Sequence, residues 1–133
     1  MTELQCILVT PERTVRDETV DFVALPLFDG EIGIAPGHSP LIGRLGAGEL
    51  RLQGEKGVSR YYVEGGFVEV LHGVVSVLTQ RAVPAGELDA AVVAEQLQTV
   101  LMRPARNADE IELRHRQAAQ LRAQLRILGR GSP

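Results

Sequence analysis

The sequence has few of the features that mark a secreted or membrane protein. Its 133 residues contain one cysteine, Cys6, so no internal disulfide can form, which fits a reducing compartment. No run approaches the ~20 consecutive apolar residues of a membrane span, and the N-terminus has no basic, apolar leader. We therefore expect a soluble protein with one domain, or one compact domain with an appendage. Because Leu4 and Leu8 share its strand face, we expect Cys6 to be buried in the core.

Basic charge is too scarce for nonspecific nucleic-acid binding. The net charge is −3, whereas affinity for a phosphate backbone needs clustered basic residues. Residues 1–84 carry seven basic against eleven acidic side chains, and residues 85–133 carry seven against six. The C-terminal part is therefore the relatively basic one.

Catalytic and metal-binding motifs are also missing from the sequence. The three histidines, His38, His72 and His115, have no metal-ligand spacing, and there is no nucleophile elbow, Walker loop or Cys-x-x-Cys. Gly65-Gly66 follows a predicted strand with no helix after it, which favours a bulge or a close backbone approach over a phosphate loop. Glu31 and His38 offer an acid/base pair without a third orienting group. A binding or coupling role is the better hypothesis.

The first 84 residues alternate short apolar runs with turn signals. Asp29-Gly30 favours a type I′ turn, because glycine permits positive φ, so the flanking residues should pair as antiparallel strands with Glu31 at the hairpin edge. Further strands are predicted over residues 4–9, 14–16, 19–27, 49–53, 58–64, 67–71 and 74–79, with a loop over 43–48. Strands at roughly ten-residue spacing predict an antiparallel sandwich or barrel.

A helical pattern begins after Pro84. Asp89 can cap a helix with an apolar stripe through Ala90, Val93, Leu97, Val100 and Leu101, and Pro104 stops it. A second stripe contains Ile111, Ala118, Leu121, Leu125 and Leu128, with Asp109 and Glu112 as a capping box and Gly129 at the end. The predicted fold is an all-β N-terminal antiparallel β-sandwich (1–84) followed by a C-terminal antiparallel α-helical hairpin (85–133).

Two stretches carry a resemblance to a known family. Gly30-Glu31-Ile32-Gly33-Ile34-Ala35-Pro36-Gly37-His38-Ser39-Pro40-Leu41 and Tyr62-Val63-Glu64-Gly65-Gly66-Phe67-Val68-Glu69-Val70 resemble the two signatures of the epsilon subunit of rotary F-type ATP synthases, called delta in mitochondria. The likeness extends from about Leu4 to about Leu128. It implies a noncatalytic central-stalk subunit on the cytoplasmic face of the bacterial inner membrane, without direct membrane insertion.

The resemblance implies partners for the sandwich. In the family it grips the gamma subunit and rests on the polar loops of the membrane c-ring, coupling the two during ATP synthesis with ion transport. Glu31 and His38 lie at the positions that meet the ring loops, although Glu31 is equally explained as a solvated charge. If one face docks on gamma, core-like strand residues such as Phe67 or Tyr61 should be exposed in the isolated chain.

The resemblance also implies a regulatory hairpin, which blocks ATP hydrolysis when it extends along gamma into the alpha/beta hexamer. The basic face expected to meet an acidic segment of beta comprises Arg114, Arg116, Arg122, Arg126 and Arg130, with a solvated helix face as the alternative. Many bacterial members bind ATP through an Ile/Leu-Asp-x-x-Arg-Ala motif. Leu88 and Asp89 match it, but Val92 replaces the arginine and Val93 the alanine. Arg122 and Arg126 on the second helix could still contact the phosphates of ATP, but Asp89 is better explained as a helix cap. We therefore expect weak or no ATP binding and no cofactor.

Two other functions remain open at this point. One is a free-standing β-sandwich regulator that senses a small ligand between sandwich and hairpin, and it predicts a monomer without a stalk partner. The other is an enzyme that uses Glu31 and His38.

Overall fold

The computed structural model describes residues 3–130, which form a β-sandwich followed by two helices. The strands are β1 (Leu4–Val9), β2 (Thr14–Val20), β3 (Phe22–Leu27), β4 (Gly30–Ile34), β5 (Leu41–Arg44), β6 (Gly48–Gly54), β7 (Gly57–Glu64), β8 (Phe67–Leu71), β9 (Val74–Leu78) and β10 (Arg81–Pro84). A 3-10 turn (Ala85–Glu87) leads into α1 (Ala90–Met102) and α2 (Ala108–Gly129). The predicted fold class is confirmed; residues 131–133 of the predicted hairpin segment lie outside the described residues.

The strands form two five-stranded sheets packed face to face. The first sheet has the order β2-β1-β9-β8-β5, and the second has the order β10-β7-β6-β3-β4. Pairing is antiparallel except between β1 and β9, which are parallel, so the sandwich is not purely antiparallel. Alternate residues of each strand fill the core; Leu4, Cys6 and Leu8 of β1 are buried there, which confirms the position predicted for Cys6.

The segment from Thr14 to Leu27 differs from the prediction. A short strand and a single longer one were expected over 14–16 and 19–27, but β2 extends to Val20 and the chain then changes sheets at Asp21. The Asp21 amide donates to the Gln53 carbonyl at 2.7 Å, and Val20 and Val23 enter the same core from opposite sheets. The sequence shows only continuous alternation here, because a sheet change needs no glycine or proline.

The Asp29-Gly30 hairpin is confirmed, but its turn type is not. Leu27 pairs with Gly30, so Phe28 and Asp29 form the turn, and neither has a positive φ. A type I′ turn requires positive φ at both central residues and is therefore excluded.

Two short strands were not predicted. β5 lies where a loop was expected around Gly43, and β10 lies just before the helices. Each has four residues and pairs at the end of its sheet, with β8 and β7 respectively, so its sequence carries little alternation.

Gly65-Gly66 is a close backbone approach, as expected. A Cβ on Gly66 would lie 1.8 Å from the Leu78 carbonyl oxygen, and the φ of Gly66 is +94°. This position therefore accepts only glycine without moving the backbone.

The helices form the expected antiparallel hairpin. Asp89 caps α1, since its Oδ1 accepts from the amides of Ala91 at 2.9 Å and Val92 at 3.2 Å. The cap predicted at Asp109 for α2 is wrong: Asn107 Oδ1 accepts from the Glu110 amide, and the Glu110 carboxylate accepts from the Arg106 amide. The N-cap therefore lies two residues earlier than predicted, at Asn107, because Asn caps as well as Asp.

Candidate functional site

The hairpin docks on the outer face of the second sheet through α2. This helix packs against β6 and β7, where Ile127 and Ala123 bury the ring of Tyr62. All three side chains are at most 2% exposed. Burial, followed by the negative charge of Glu64, raises the pKa of the Tyr62 hydroxyl, which therefore stays protonated. The junction between hairpin and sandwich has its own small apolar core.

An ion cluster around Glu49 of β6 lies beside this core. The Glu49 side chain is 2% exposed, and Arg60 Nε donates to its Oε2 at 2.6 Å. Its Oε1 accepts from Arg51 at 3.0 Å and from Arg130, at the end of α2, at 2.9 Å. Burial alone would raise the pKa of the Glu49 carboxyl, but the three guanidinium groups lower it more. Glu49 is therefore an ionised, buried carboxylate shared between sandwich and hairpin.

Arg60 completes the junction at the last turn of α2. Its Nη2 donates to the carbonyl of Ile127 at 2.6 Å, and this carbonyl of the last helical turn also accepts from the Arg130 amide at 3.2 Å. A guanidinium at this end is also favourable for the helix dipole. The sandwich therefore pairs the charge of Arg130 and adds a hydrogen bond to a carbonyl in the last turn of the docked helix.

Glu31 lies on β4, the edge strand of the second sheet. It is exposed, as predicted, but it is not an isolated charge: Arg51 Nη2 lies 3.7 Å from Glu31 Oε1. Arg51 thus lies between Glu31 and Glu49. Local sequence patterns do not predict this ion pair, because Arg51 belongs to a different strand.

His38 lies beyond β4, after the Pro36-Gly37 turn. Its side chain is half-buried, and its Nδ1 is 2.7 Å from the Ser39 carbonyl oxygen. Within residues 3–130, no hydrogen bond or ion pair joins His38 to Glu31, and no three metal-ligating side chains form a cluster. The structure therefore does not assemble an acid/base pair from the two residues.

The outer face of the first sheet carries uncovered apolar side chains around one exposed carboxylate, that of Glu69, which lies between Phe67 and Leu71 on β8. Phe67 and Leu78 are cross-strand partners that are 54% and 50% exposed, and Ile42 on the neighbouring edge strand is 75% exposed. Leu71 extends the same face. We call these four residues the apolar face. The prediction that core-like residues are exposed is confirmed for Phe67. It is wrong for Tyr61, which is buried in the core and whose hydroxyl accepts a hydrogen bond from Arg16.

Comparison with known proteins identifies the family. Residues 3–85 match the model of the ATP synthase delta/epsilon chain β-sandwich domain. An ATP synthase epsilon chain of Rhodopirellula baltica is 46% identical over 123 residues, covering 92% of this chain and 96% of that protein. The chain belongs to the ATP synthase delta/epsilon family. A second epsilon chain, from Syntrophobacter fumaroxidans, is 36% identical and covers 90% of both proteins.

Solved structures show the same fold. A chain in the cryo-EM structure of the Euglena gracilis mitochondrial ATP synthase (OSCP, F1 and c-ring) has a TM-score of 0.89 at 23% identity, covering 96% of this chain and 82% of that one. A chain of the Tetrahymena thermophila mitochondrial ATP synthase central stalk and c-ring has a TM-score of 0.70 at 12% identity, covering 92% and 94%. As an ATP synthase epsilon chain, the protein is a noncatalytic subunit. Between residues 3 and 130, no helix is long and apolar enough to cross a membrane.

The arginines of the epsilon-family hairpin do not share one environment. Arg130 binds Glu49, and Arg114 Nη1 donates to the Arg103 carbonyl at 2.9 Å, which joins α2 to the end of α1. Arg116, Arg122 and Arg126 are exposed. In the docked hairpin, at least two of the five predicted basic residues are therefore engaged within the chain.

The predicted nucleotide contacts do not line the groove between the two helices. A groove of about 470 Å³ runs between α1 and α2 and is lined by Arg81, Val92, Glu95, Gln96, Thr99, Val100, Arg103, Gln117, Gln120, Leu121 and Gln124. Asp89, Arg122 and Arg126 are not among these lining residues, and the Asp89 carboxylate is occupied as a helix cap. Val92 is 50% exposed where the motif has arginine.

A second cavity lies between sandwich and hairpin, which is where a ligand-sensing regulator would bind its ligand. Its volume is about 550 Å³, and Arg16 and Arg60 are its charged groups. Arg16 forms an ion pair with Glu18 and donates a hydrogen bond to the Tyr61 hydroxyl. Arg60 donates hydrogen bonds to Glu49 and to the Ile127 carbonyl. Since the cations are already engaged, the small-ligand hypothesis gains no support.

Sequence reasoning missed the Glu49 cluster, although one signal was present. The two-residue turn between Gly54 and Gly57 fixes the β6/β7 register and places Arg51 directly opposite Arg60. Like charges directly opposite each other are unfavourable in a sheet unless a counter-charge lies nearby. That pair would have indicated a carboxylate partner.

Proposed function

We propose that this chain couples the gamma subunit to the c-ring of its ATP synthase, as a peripheral subunit on the cytoplasmic side of the membrane. The observation that carries the proposal is the apolar face. It lies on the sheet opposite the hairpin, so the docked hairpin leaves it uncovered. Exposed apolar residues clustered on one sheet face, here around the Glu69 carboxylate, are typical of a protein-binding surface.

The apolar face suits a stable stalk contact. Phe67 and Ile42 offer large side chains that lose exposure only when a partner covers them, and Arg44 borders them at the edge of the sheet. An aromatic anchor beside an arginine is a common composition of binding hot spots. We therefore assign this face to gamma.

The ring contact is proposed for Glu31 and His38, on the second sheet's edge and the bend that follows it. Glu31 is exposed enough to exchange Arg51 for a basic group on a ring loop. Such an exposed pair contributes only about 0.2–1 kcal/mol, so it would orient the contact rather than hold it.

The hairpin is proposed to restrain ATP hydrolysis when it leaves the sandwich. Arg116, Arg122 and Arg126 are available to an acidic segment of beta, and release would add Arg130 to that surface. Weak or absent ATP binding is proposed as well, because Val92 offers no cation and Asp89 is occupied.

Pull-down with gamma tests the gamma assignment. Phe67→Asp should abolish capture by gamma, because it replaces the aromatic side chain of the apolar face with a second carboxylate near Glu69 without disturbing the core. Met102→Asp is the matched control, since Met102 is 80% exposed at the end of α1, outside that face. Equal capture of both variants would overturn the gamma assignment.

Truncation tests the regulatory role. A chain that ends at Gly86 should still join the complex through the sandwich but lose restraint of hydrolysis. Unchanged ATPase rates in membranes that carry this truncation would count against a regulatory hairpin.

A further inference from the structure

We propose that Arg51 couples Glu31 to the hairpin, so that pairing of Glu31 with an external cation loosens the docked hairpin. This inference rests on the proposed function only for the identity of that cation, a basic group on a ring loop. The coupling itself belongs to the isolated chain.

The contacts form a continuous chain of charges. Arg51 Nη2 lies 3.7 Å from Glu31 Oε1, and Arg51 Nη1 donates to Glu49 Oε1 at 3.0 Å. The same Glu49 oxygen accepts from Arg130 of α2 at 2.9 Å. One guanidinium thus contacts both the exposed edge carboxylate and the oxygen that holds the hairpin.

The charge balance gives the direction of the coupling. On the sandwich side, Glu31 and Glu49 balance Arg51 and Arg60. The hairpin adds Arg130 and also Arg126, which lines a cavity of about 110 Å³ together with Glu31, Glu49 and Arg130. If an external cation neutralises Glu31, the sandwich side becomes net positive and repels the arginines of α2.

Competition for one oxygen acts in the same direction. When Glu31 turns to an external cation, Arg51 keeps only Glu49 as its carboxylate partner. It then competes more strongly with Arg130 for Oε1. By linkage, a docked hairpin must oppose the external pairing of Glu31 by the same factor.

The consequence is that pairing of Glu31 with an external cation and release of the hairpin at Arg130 are linked. A subunit whose Glu31 is engaged releases its hairpin more readily than a free subunit. Since Arg51 is partly exposed, with 36% of its side-chain surface accessible, the effect is modest. It biases an equilibrium and does not switch it completely.

The test uses the full-length isolated chain, without any partner. Glu31→Gln removes the carboxylate charge, as an external cation would neutralise it, and hydrogen exchange of the α2 amides reports the docked-to-undocked ratio. We expect that ratio to fall by roughly 1.5- to 5-fold. Glu55→Gln is the matched control, because Glu55 is an exposed glutamate in the β6/β7 turn of the same sheet and has no contact with the cluster.

A double-mutant cycle separates a route through Arg51 from a simple change in total charge. In an Arg51→Gln background, the effect of Glu31→Gln on α2 exchange should be smaller than in the natural chain, because only the direct attraction between Glu31 and the α2 arginines remains. An undiminished effect in that background, or a Glu31→Gln effect equal to that of Glu55→Gln in the natural chain, would overturn the proposal. The c-ring is absent from this experiment. Failure of the assembled enzyme to bind the ring through Glu31 would therefore count against the proposed ring contact and not against the coupling.

Discussion

The docking of the hairpin should depend on Ile127 far more than on any exposed isoleucine of the same helix. Ile127 is 2% exposed and packs on Tyr62, whereas Ile111, four turns earlier on α2, is 50% exposed. Ile→Ala at both positions makes the same chemical change, and alanine favours a helix at either site. The pair therefore isolates the contribution of the junction.

The magnitude follows from burial. A fully buried isoleucine contributes about 1.5–3 kcal/mol by transfer from water, and truncation to alanine in a packed site costs about 2–5 kcal/mol once the cavity is included. A cost of about 2–4 kcal/mol lowers the docked-to-undocked ratio by roughly 30- to 1,000-fold. The Arg60 bond is retained, because it goes to the backbone carbonyl of Ile127.

Hydrogen exchange resolved along the chain measures this effect. In Ile127→Ala, the amides of α2 should lose protection while those of β1, β8 and β9 keep it, since the sandwich core lies elsewhere. Ile111→Ala should change α2 protection by less than a few-fold. The same loss in both variants, or a loss that spreads through the first sheet, would refute a separate junction core.

Three further outcomes follow from single sites. Gly66→Ala should destabilise the sandwich by more than about 2 kcal/mol, because its Cβ would meet the Leu78 carbonyl, whereas Gly86→Ala should leave thermal unfolding nearly unchanged. The neighbouring guanidinium groups lower the pKa of Glu49, so its stabilising effect is present above about pH 4.5 and is lost as the pH falls through the lower folded pKa. Acid should therefore release the hairpin less steeply in Glu49→Gln than in the natural chain. Identical acid profiles of the two proteins would contradict this. Burial raises the pKa of the Cys6 thiol to about 12, so a thiol reagent should label it only on unfolding, and rapid labelling of the native chain would be inconsistent with this packing.

Local patterns were sufficient for most of the elements. The period of two before Pro84, the period near 3.6 after it, and Asp89 as a cap each predict a structure that depends on nearby residues. The errors share a cause. The sheet change at Asp21 and the short strands β5 and β10 are set by partners far along the chain, which local alternation does not reveal.

By itself, the sequence determined the two-part fold and the family, because hydrophobic periodicity and the motifs around Glu31 and Gly65-Gly66 are properties of neighbouring residues. Only the tertiary structure decided what those residues contact. Glu49 acquires its role because β6 and β7 pair in one register and α2 brings Arg130 to the same carboxylate. Electrostatic and packing partners are chosen by distance in space, and the chain brings residues 31, 51, 49 and 130 together only after it folds.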